Sequence, residues 1–371
     1  MTVRALREFA LELAAPLSTA RGDIERREGL LVRVDLAGTP GVGEAAPLPG
    51  WTESLADCRR ALERARDEGT PPGSDSPAAR HAVALAYRDA FARRRGESLA
   101  ASLTRAGEDD REPAASVPVN GTVGDADRDE AVAAAREAVT AGHRCVKLKV
   151  GARSLEADLA RVRAVADAVG AGADGTDPAA DRDGTDGTDG TGGVALRVDA
   201  NGAWDRPTAR EAVSALAGVV EYVEQPLPAG DLAGHASLRG VGAPVALDES
   251  LTRHGVGDVL AAGAADAVVL KPMALGGPSR ALAAGRAAAH AGVAPVVTTT
   301  VDAAVARTAA VHVAAALPRG AARAHGLATG DLLALDLAGD DPAPVADGRI
   351  AVPSGPGLAG DAFDDLFADG T

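Results

Sequence analysis

From about residue 115 onward, short runs rich in β-branched residues alternate with longer, alanine-rich stretches of helical character. A repeated βα pattern builds a parallel sheet, and eight strands separated by seven helices are typical of a closed barrel rather than an open sheet. We therefore predict an α/β barrel. The eight candidate strands lie at 117–123, 144–150, 194–200, 219–225, 244–250, 266–272, 294–300 and, with a weaker pattern, 323–329.

Charged residues at the ends of consecutive predicted strands recur at a regular interval. Asp199 and Glu224 are 25 residues apart, Glu224 and Asp248 are 24 apart, and Asp248 and Lys271 are 23 apart. One βα unit therefore separates each residue from the next. Because catalytic groups of such barrels lie at the carboxyl ends of the strands, these residues predict one shared site.

A segment rich in Gly, Asp and Thr at 170–193 interrupts this period. The interval from Lys149 to Asp199 is 50 residues, and removing the 24 residues of the segment leaves 26. The segment is too polar to bury itself, so we predict a solvated loop. Its spaced aspartates suggest calcium binding as an alternative, but the apolar residue of a calcium-binding β-roll repeat is missing.

Three acidic residues, Asp199, Glu224 and Asp248, end three consecutive strands. Three converging carboxylates repel one another unless a cation lies between them, and all-oxygen ligands favour Mg²⁺, with Mn²⁺ as a substitute. The alternative for each carboxylate is a helix N-cap just after a strand. Arg197 and Asn201 share a face with Asp199, where they either orient the ligands or complete hydrogen bonds at the strand end.

Lysine is rare in this chain. Only Lys147, Lys149 and Lys271 are lysines among the 38 basic residues, and the others are arginines. Lys147 and Lys149 are expected to point into the barrel while Leu148 packs outward. Arginine cannot lose its proton in a protein, whereas a lysine beside another cation can, so the pair predicts a general base at neutral pH. The alternative is a pair of surface lysines on an edge strand.

Composition excludes several classes of function. A net charge of −15 without a basic run argues against binding to nucleic acid or to an anionic membrane surface, and suggests a salt-rich cytosol. Two cysteines cannot form a disulfide framework, which fits a reduced cytoplasm. No signal peptide is predicted, because Arg4, Arg7, Glu8 and Glu12 lie where its apolar core would be, and no membrane span is predicted, because no uninterrupted apolar run reaches 18 residues.

Five short motifs together resemble the enolase superfamily, specifically its muconate-lactonizing subgroup. They are KLK at 147–149, RVDAN at 197–201, VEQPL at 223–227, LDES at 247–250 and VLKP at 269–272. The resemblance implies a (β/α)7β modified TIM barrel with an α+β capping domain formed by the N-terminal segment and the C-terminal tail. The implied boundaries are 1–112 for the capping segment, 113–335 for the barrel and 336–371 for the returning tail.

The same resemblance implies roles for the site residues. Asp199, Glu224 and Asp248 would bind Mg²⁺, while Lys149 and Lys271 would stand on opposite faces of a small-molecule carboxylate substrate. Lys149 would abstract a proton, and Lys271 would either stabilise the resulting anion or transfer a proton itself. Lys147 would tune Lys149 and contact the substrate carboxylate.

Within the subgroup, GEAAPLPGW at 43–51 and LKPMALGG at 270–277 are most similar to the o-succinylbenzoate synthase family, dehydratases of menaquinone biosynthesis. The alternatives are an N-acylamino acid racemase or dipeptide epimerase on the same scaffold, or a non-catalytic relative. The family's serine-rich eighth segment is replaced here by TTTVD. Thr299 and Thr300 are therefore candidates for substrate hydrogen bonds, or they simply fill a strand end. A homo-oligomer is compatible with the resemblance.

Overall fold

The structure, a computed structural model, describes residues 3–19, 22–106, 111–171, 193–318 and 323–368. Most of the predicted loop at 170–193 lies outside these residues. Among the described helices, none is both long and apolar enough to cross a membrane.

The N-terminal part of the chain is an antiparallel sheet covered by helices. Its strands are paired in the order β1, β2, β3, and their hydrophobic residues contact the first two helices. The elements are β1 (Val3–Thr19), β2 (Gly22–Leu36), β3 (Thr39–Ala45), α1 (Leu55–Asp67), α2 (Pro77–Arg95) and α3 (Leu99–Arg105).

A parallel sheet of seven strands follows, paired in sequence order from β5 to β11. Its strands are β5 (Gly121–Val123), β6 (Cys145–Lys149), β7 (Ala195–Asp199), β8 (Tyr222–Glu224), β9 (Val245–Leu247), β10 (Ala267–Leu270) and β11 (Ala294–Val297). The helices between and after them are α4 (Arg128–Thr140), α5 (Leu155–Val169), α6 (Arg206–Ala215), α7 (Leu232–Leu238), α8 (Val256–Ala261), α9 (Pro272–Leu275), α10 (Pro278–His290) and α11 (Ala304–Ala315).

The weak eighth strand predicted at 323–329 contributes only two bridging residues, yet these close the ring. His325 forms a parallel bridge with Val119, just before β5, and Gly326 forms one with Thr298, just after β11. A Cβ on Gly326 would lie 2.6 Å from the Thr298 hydroxyl, so only glycine permits this approach. The predicted modified TIM barrel is confirmed.

The predicted strand at 117–123 was wrong as a single element, because it divides between two sheets. Strand β4 (Ser116–Pro118) pairs antiparallel with β13 (Arg349–Ala351), which also pairs with β12 (Val345–Ala346). After Asn120 the chain enters the barrel as β5. This small sheet ties the C-terminal segment to the entrance of the barrel.

Side chains along each barrel strand point alternately outward, toward the helices, and inward, into the barrel. Outward side chains such as Leu148, Val198 and Val223 join the hydrophobic layer beneath the helices. The inward side chains near the amino-terminal end include Tyr222, Ala246 and Val296, which form their own small cluster. The inward positions at the opposite end are charged, so the barrel interior is polar at its mouth, while the apolar cluster below also contacts the buried Arg197 through Tyr222.

Two glycines and one glutamate of β3 join the N-terminal sheet to its neighbours. Cβ atoms on Gly41 and Gly43 would lie about 2 Å from backbone oxygens of α2, so the glycines allow the helix to pack directly on the strand. The carboxylate of Glu44, which lies between Gly43 and Ala45 in the chain, points toward the barrel. It accepts hydrogen bonds of 2.8 Å from the backbone N–H groups of Ala303 and Ala306, which begin α11. A side chain of the N-terminal sheet therefore caps a barrel helix.

Replacing Glu44 with alanine should lower the free energy of unfolding by about 3 kcal/mol, because two buried N–H groups lose their acceptor. Asp205→Ala is the matched control, since it removes an exposed N-cap from α6, whose Thr208 N–H it accepts. That variant should lose about 1 kcal/mol. Urea denaturation measures both, and equal losses would contradict a joining role for Glu44.

Candidate active site

The predicted site residues line up at the carboxyl end of the barrel. Lys149, Asp199 and Glu224 are register partners across β6, β7 and β8. Asp248 directly follows β9, and Lys271 directly follows β10. Since the sheet order runs from β6 to β10, the three strands with carboxylates lie between the two strands that carry lysines.

On the β6 side, two lysines share one carboxylate oxygen. The Nζ atoms of Lys149 and Lys147 lie 2.8 and 3.0 Å from Oδ2 of Asp199, and Lys147 also donates to Glu224 Oε1 at 3.1 Å. The Asp199 side chain is 1% exposed, whereas Lys149 is 35% exposed and Lys147 is 19% exposed. Lys149 is therefore the more accessible lysine of this pair to a molecule that enters the mouth.

On the β10 side, the Lys271 ammonium is held by two groups. Its Nζ lies 2.5 Å from both carboxylate oxygens of Asp248 and 3.3 Å from the centre of a Trp51 ring. A cation against the face of an indole ring is an attractive contact. Trp51 belongs to the predicted capping signature at 43–51, so the N-terminal segment reaches the barrel mouth here. It also lines a cavity of about 90 Å³ with Lys271 and Leu275.

Burial and repulsion from neighbouring carboxylates disfavour the ionised form of Glu224. Burial, then repulsion by Asp199, raises the pKa of Glu224 to about 8, although Lys147 lowers it. Burial alone would lower the pKa of Lys147, but attraction to Asp199 and Glu224 places it well above its ordinary value. This differs from the expectation that the two neighbouring lysines would disfavour each other's charge, because the carboxylates outweigh that repulsion.

The donor chemistry of these residues fits a hard divalent cation. Within the described residues, no group of three His, Cys, Asp or Glu side chains is placed so that it could hold a metal ion, and Lys147 and Lys271 donate to the carboxylates. The carboxylates nevertheless supply only oxygen donors, and burial followed by repulsion from Asp199 raises the pKa of Glu224. Oxygen ligands with excess negative charge are what Mg²⁺ prefers.

Gln225 is a positioning residue that the sequence reasoning did not single out, although it lies in the VEQPL motif. Its Oε1 accepts from the backbone N–H groups of Asp248 and Ser250 at 3.0 and 3.1 Å, and its Nε2 donates to Leu227 O at 2.9 Å. The side chain is fully buried. Gln225 therefore fixes the backbone that carries Asp248, a function that no local sequence pattern reveals.

Glu249 was also missed, because it follows Asp248 immediately and was assigned no role. Its Oε1 accepts from Asn201 Nδ2 at 2.8 Å, and Asn201 Oδ1 accepts from Lys149 Nζ at 2.7 Å. Asn201 therefore contacts the candidate base directly, in addition to donating its backbone N–H to Asp199.

Arg197 lies deeper in the barrel than Asp199, by two residues along β7. It donates to Glu221 at 2.6 Å and to the carbonyl of Ala324 at 2.8 Å, and it lies over the ring of Tyr222. These contacts place it in the floor of the barrel, where it links β7 to the eighth segment.

The hydroxyls of Thr299 and Thr300 both have partners within the protein. Thr299 Oγ1 lies 3.1 Å from Thr329 Oγ1, and Thr300 Oγ1 donates to Asp302 at 2.5 Å. Both threonines are buried. The structure thus shows them in hydrogen bonds that organise the loop after β11.

Comparison with known proteins decides the family. Residues 187–364 match the family described as enolase C-terminal domain-like. The chain is 34% identical to muconate cycloisomerase 1 of Rhodococcus opacus over 284 residues, which are 76% of this chain and 68% of the relative. The chain belongs to the enolase superfamily. Its predicted likeness to the muconate-lactonizing subgroup is confirmed by the same relative.

Two further members of the superfamily bear on the activity. The chain is 38% identical to the o-succinylbenzoate synthase of Thermobifida fusca over 233 residues, 62% of this chain, and it covers 64% of that protein's length. It is 27% identical, with a TM-score of 0.76, to a dipeptide epimerase of Methylococcus capsulatus solved with Mg and the dipeptide L-Arg-D-Lys. That match covers 97% of this chain and 99% of the epimerase chain. Mg binding is thus a property of a superfamily member with this fold.

The contact between Trp51 and Lys271 can be tested by fluorescence, because the chain has only two tryptophans. In a Trp204→Phe background, Lys271→Met should change the emission of Trp51, since the ammonium leaves the face of the ring. Lys149→Met is the control, as its ammonium contacts Asp199 and Asn201 instead. Identical spectra for the Trp204→Phe parent and its Lys271→Met derivative would contradict the stacking.

Proposed function

We propose that this protein is an o-succinylbenzoate synthase of menaquinone biosynthesis. The reaction is the dehydration of 2-succinyl-6-hydroxy-2,4-cyclohexadiene-1-carboxylate to 2-succinylbenzoate, with Mg²⁺ as cofactor and Mn²⁺ as a substitute. One observation carries the proposal: lysines on β6 and β10 flank three carboxylates on the strands between them. Such a base, together with an opposing cation and a metal site that stabilise the developing negative charge, suits the removal of a proton α to a carboxylate.

Asp199, Glu224 and Asp248 would hold the ion, which when bound supplies a Lewis acid that stabilises negative charge on the substrate carboxylate. Lys149, as the neutral amine, takes the proton from the ring carbon that bears this carboxylate. The electron pair of that C–H bond moves into the carboxylate and forms an enediolate. Lys149 then returns its proton to the departing hydroxyl, so that water leaves and the ring becomes aromatic.

The other two lysines remain cations in this scheme. Lys271 faces the opposite side of the ring and stabilises the planar anion, while Asp248 and Trp51 hold its position. Lys147 donates to both Asp199 and Glu224 and so keeps the two carboxylates together. Water is limited at the Lys271 side by the Trp51 ring, which strengthens electrostatic interactions there.

Epimerisation or racemisation of a dipeptide or an N-acylamino acid is the second candidate. It is favoured by the likeness to the dipeptide epimerase and by the presence of both Lys149 and Lys271, which would serve as bases on the two faces. This activity exchanges the α-proton with solvent without loss of water. Incorporation of solvent deuterium into an N-succinylamino acid measures it directly.

The proposed dehydration is followed by ultraviolet absorbance as the cyclohexadiene carboxylate becomes aromatic. We expect turnover with Mg²⁺, loss of turnover after chelation, and recovery with Mg²⁺ or Mn²⁺. Deuterium exchange into the N-succinylamino acid without aromatisation would replace this function with the racemase. Metal binding without either reaction would indicate a non-catalytic relative.

Lys149→Arg should lower kcat by at least about 100-fold, because arginine keeps the charge but cannot accept the proton. Arg144→Lys is the matched control, an exchange between the same residue types at an exposed position just before β6. It should leave kcat unchanged. If Lys149→Arg keeps more than a few per cent of the turnover rate, proton transfer by Lys149 is excluded.

A further inference from the structure

The side-chain amide of Asn201 forms hydrogen bonds with two charged side chains, Lys149 and Glu249. The carboxylates proposed to bind the metal do not link these two side chains. Asn201 Oδ1 accepts from Lys149 Nζ at 2.7 Å, and its Nδ2 donates to Glu249 Oε1 at 2.8 Å. The connection runs from β6, past the end of β7, to the turn after β9. It spans the mouth of the barrel beside Glu224 without involving that residue.

The chemistry of the two partners allows only one orientation of this amide. The protonated Lys149 can only donate hydrogen bonds, so it needs the amide oxygen, whereas a carboxylate can only accept and needs the NH₂ group. When Lys149 is the neutral base, Glu249 alone still requires the same orientation. A flipped amide would oppose donor to donor and acceptor to acceptor. Glu249 therefore fixes the face that Asn201 presents to Lys149.

The backbone of Asn201 adds to this constraint. Its φ of +45° lies in the left-handed region, and its N–H donates to Asp199 Oδ1 at 3.1 Å. The backbone of Asn201 is therefore fixed in position. Its side chain can still rotate about its own bonds, and the two hydrogen bonds restrict that rotation.

Among the described residues, Asn201 is the hydrogen-bond partner of the Glu249 carboxylate, while the Glu249 backbone carbonyl accepts from Thr252. The second carboxylate oxygen, Oε2, is buried and lacks a hydrogen-bond partner. Burying a carboxylate beside Asp248 is costly, and the hydrogen bond from Asn201 offsets part of that cost. The contact with Asn201 is therefore the interaction that the Glu249 side chain makes here.

We propose that Glu249 is a positioning residue that holds Lys149 in place through the Asn201 amide, an inference that rests on the proposed role of Lys149 as the base. The amine is then held by Asp199 on one side and Asn201 on the other, with its remaining direction open to the substrate. Loss of Glu249 frees the amide and lets Lys149 leave its productive position. Substrate binding at the metal and at Lys271 is affected less, so kcat falls more than KM rises.

Four variants test the hydrogen-bond polarity. Glu249→Ala should lower kcat by about 10- to 100-fold with little change in KM. Glu249→Gln should stay within about threefold of wild type, because a glutamine oxygen still accepts from Asn201. Asn201→Asp should be impaired by repulsion from Glu249. Combining Asn201→Asp with Glu249→Gln should recover activity, since the glutamine NH₂ now donates to the aspartate that faces Lys149.

Glu211→Ala, an exposed position on α6, is the control for a glutamate truncation and should behave as wild type. A wild-type kcat for Glu249→Ala overturns the proposal. So does a Glu249→Gln variant as poor as Glu249→Ala, which would mean that charge rather than hydrogen bonding matters. A double variant no better than Asn201→Asp alone also overturns it.

A readout independent of turnover uses the three lysines of the chain. Protein labelled with ¹³C at the lysine ε carbon gives one side-chain signal set for each, and the Lys149 set is the one missing in Lys149→Arg. Glu249→Ala should shift this set and reduce the inequivalence of its two ε protons, while Glu249→Gln should not. Unchanged Lys149 signals in Glu249→Ala overturn the proposal. Failure of the dehydration assay leaves this measurement intact, so the two failures are distinguishable.

Discussion

Charge neutralisation at the mouth of the barrel is the constraint on which the rest of the site depends. Among the described residues, four carboxylates and three ammonium groups share this small, partly buried volume; they are Asp199, Glu224, Asp248, Glu249, Lys147, Lys149 and Lys271. Buried charges are costly unless each has an opposite partner. With every group ionised, one negative charge is left over. A divalent cation together with one substrate carboxylate adds one positive charge, so the proposed complex is neutral while Lys149 is protonated and carries one negative charge once Lys149 is the neutral base.

The fold meets this constraint by repeating one position on successive strands. Parallel register places Lys149, Asp199 and Glu224 side by side, and alternation sends their neighbours into the apolar layer under the helices. The N-terminal sheet then contributes from outside the barrel. Glu44 caps α11, and Trp51 covers Lys271, so the same segment both braces a barrel helix and bounds the mouth.

The sequence was sufficient for features that repeat along the chain. The period of Asp199, Glu224 and Asp248 revealed the barrel and its polar end, because each βα unit repeats the same strand position. The eighth strand was poorly predicted, since two bridges at His325 and Gly326 leave almost no periodic pattern. Individual contacts between distant segments leave no pattern in the sequence. The contact of Trp51 with Lys271, 220 positions later, depends on tertiary packing alone.

Arginine and lysine have different roles in this structure because their side chains differ in shape as well as in proton affinity. Buried arginines hold the scaffold through several donors at once, as when Arg307 binds Asp336 and Asp341. A planar guanidinium suits such forked contacts. The ammonium of Lys147 is compact enough to fit within 3.1 Å of oxygens on two neighbouring strands. Lysine is therefore required at the mouth for size even where no proton moves, and at Lys149 the ability to lose a proton is added to that requirement.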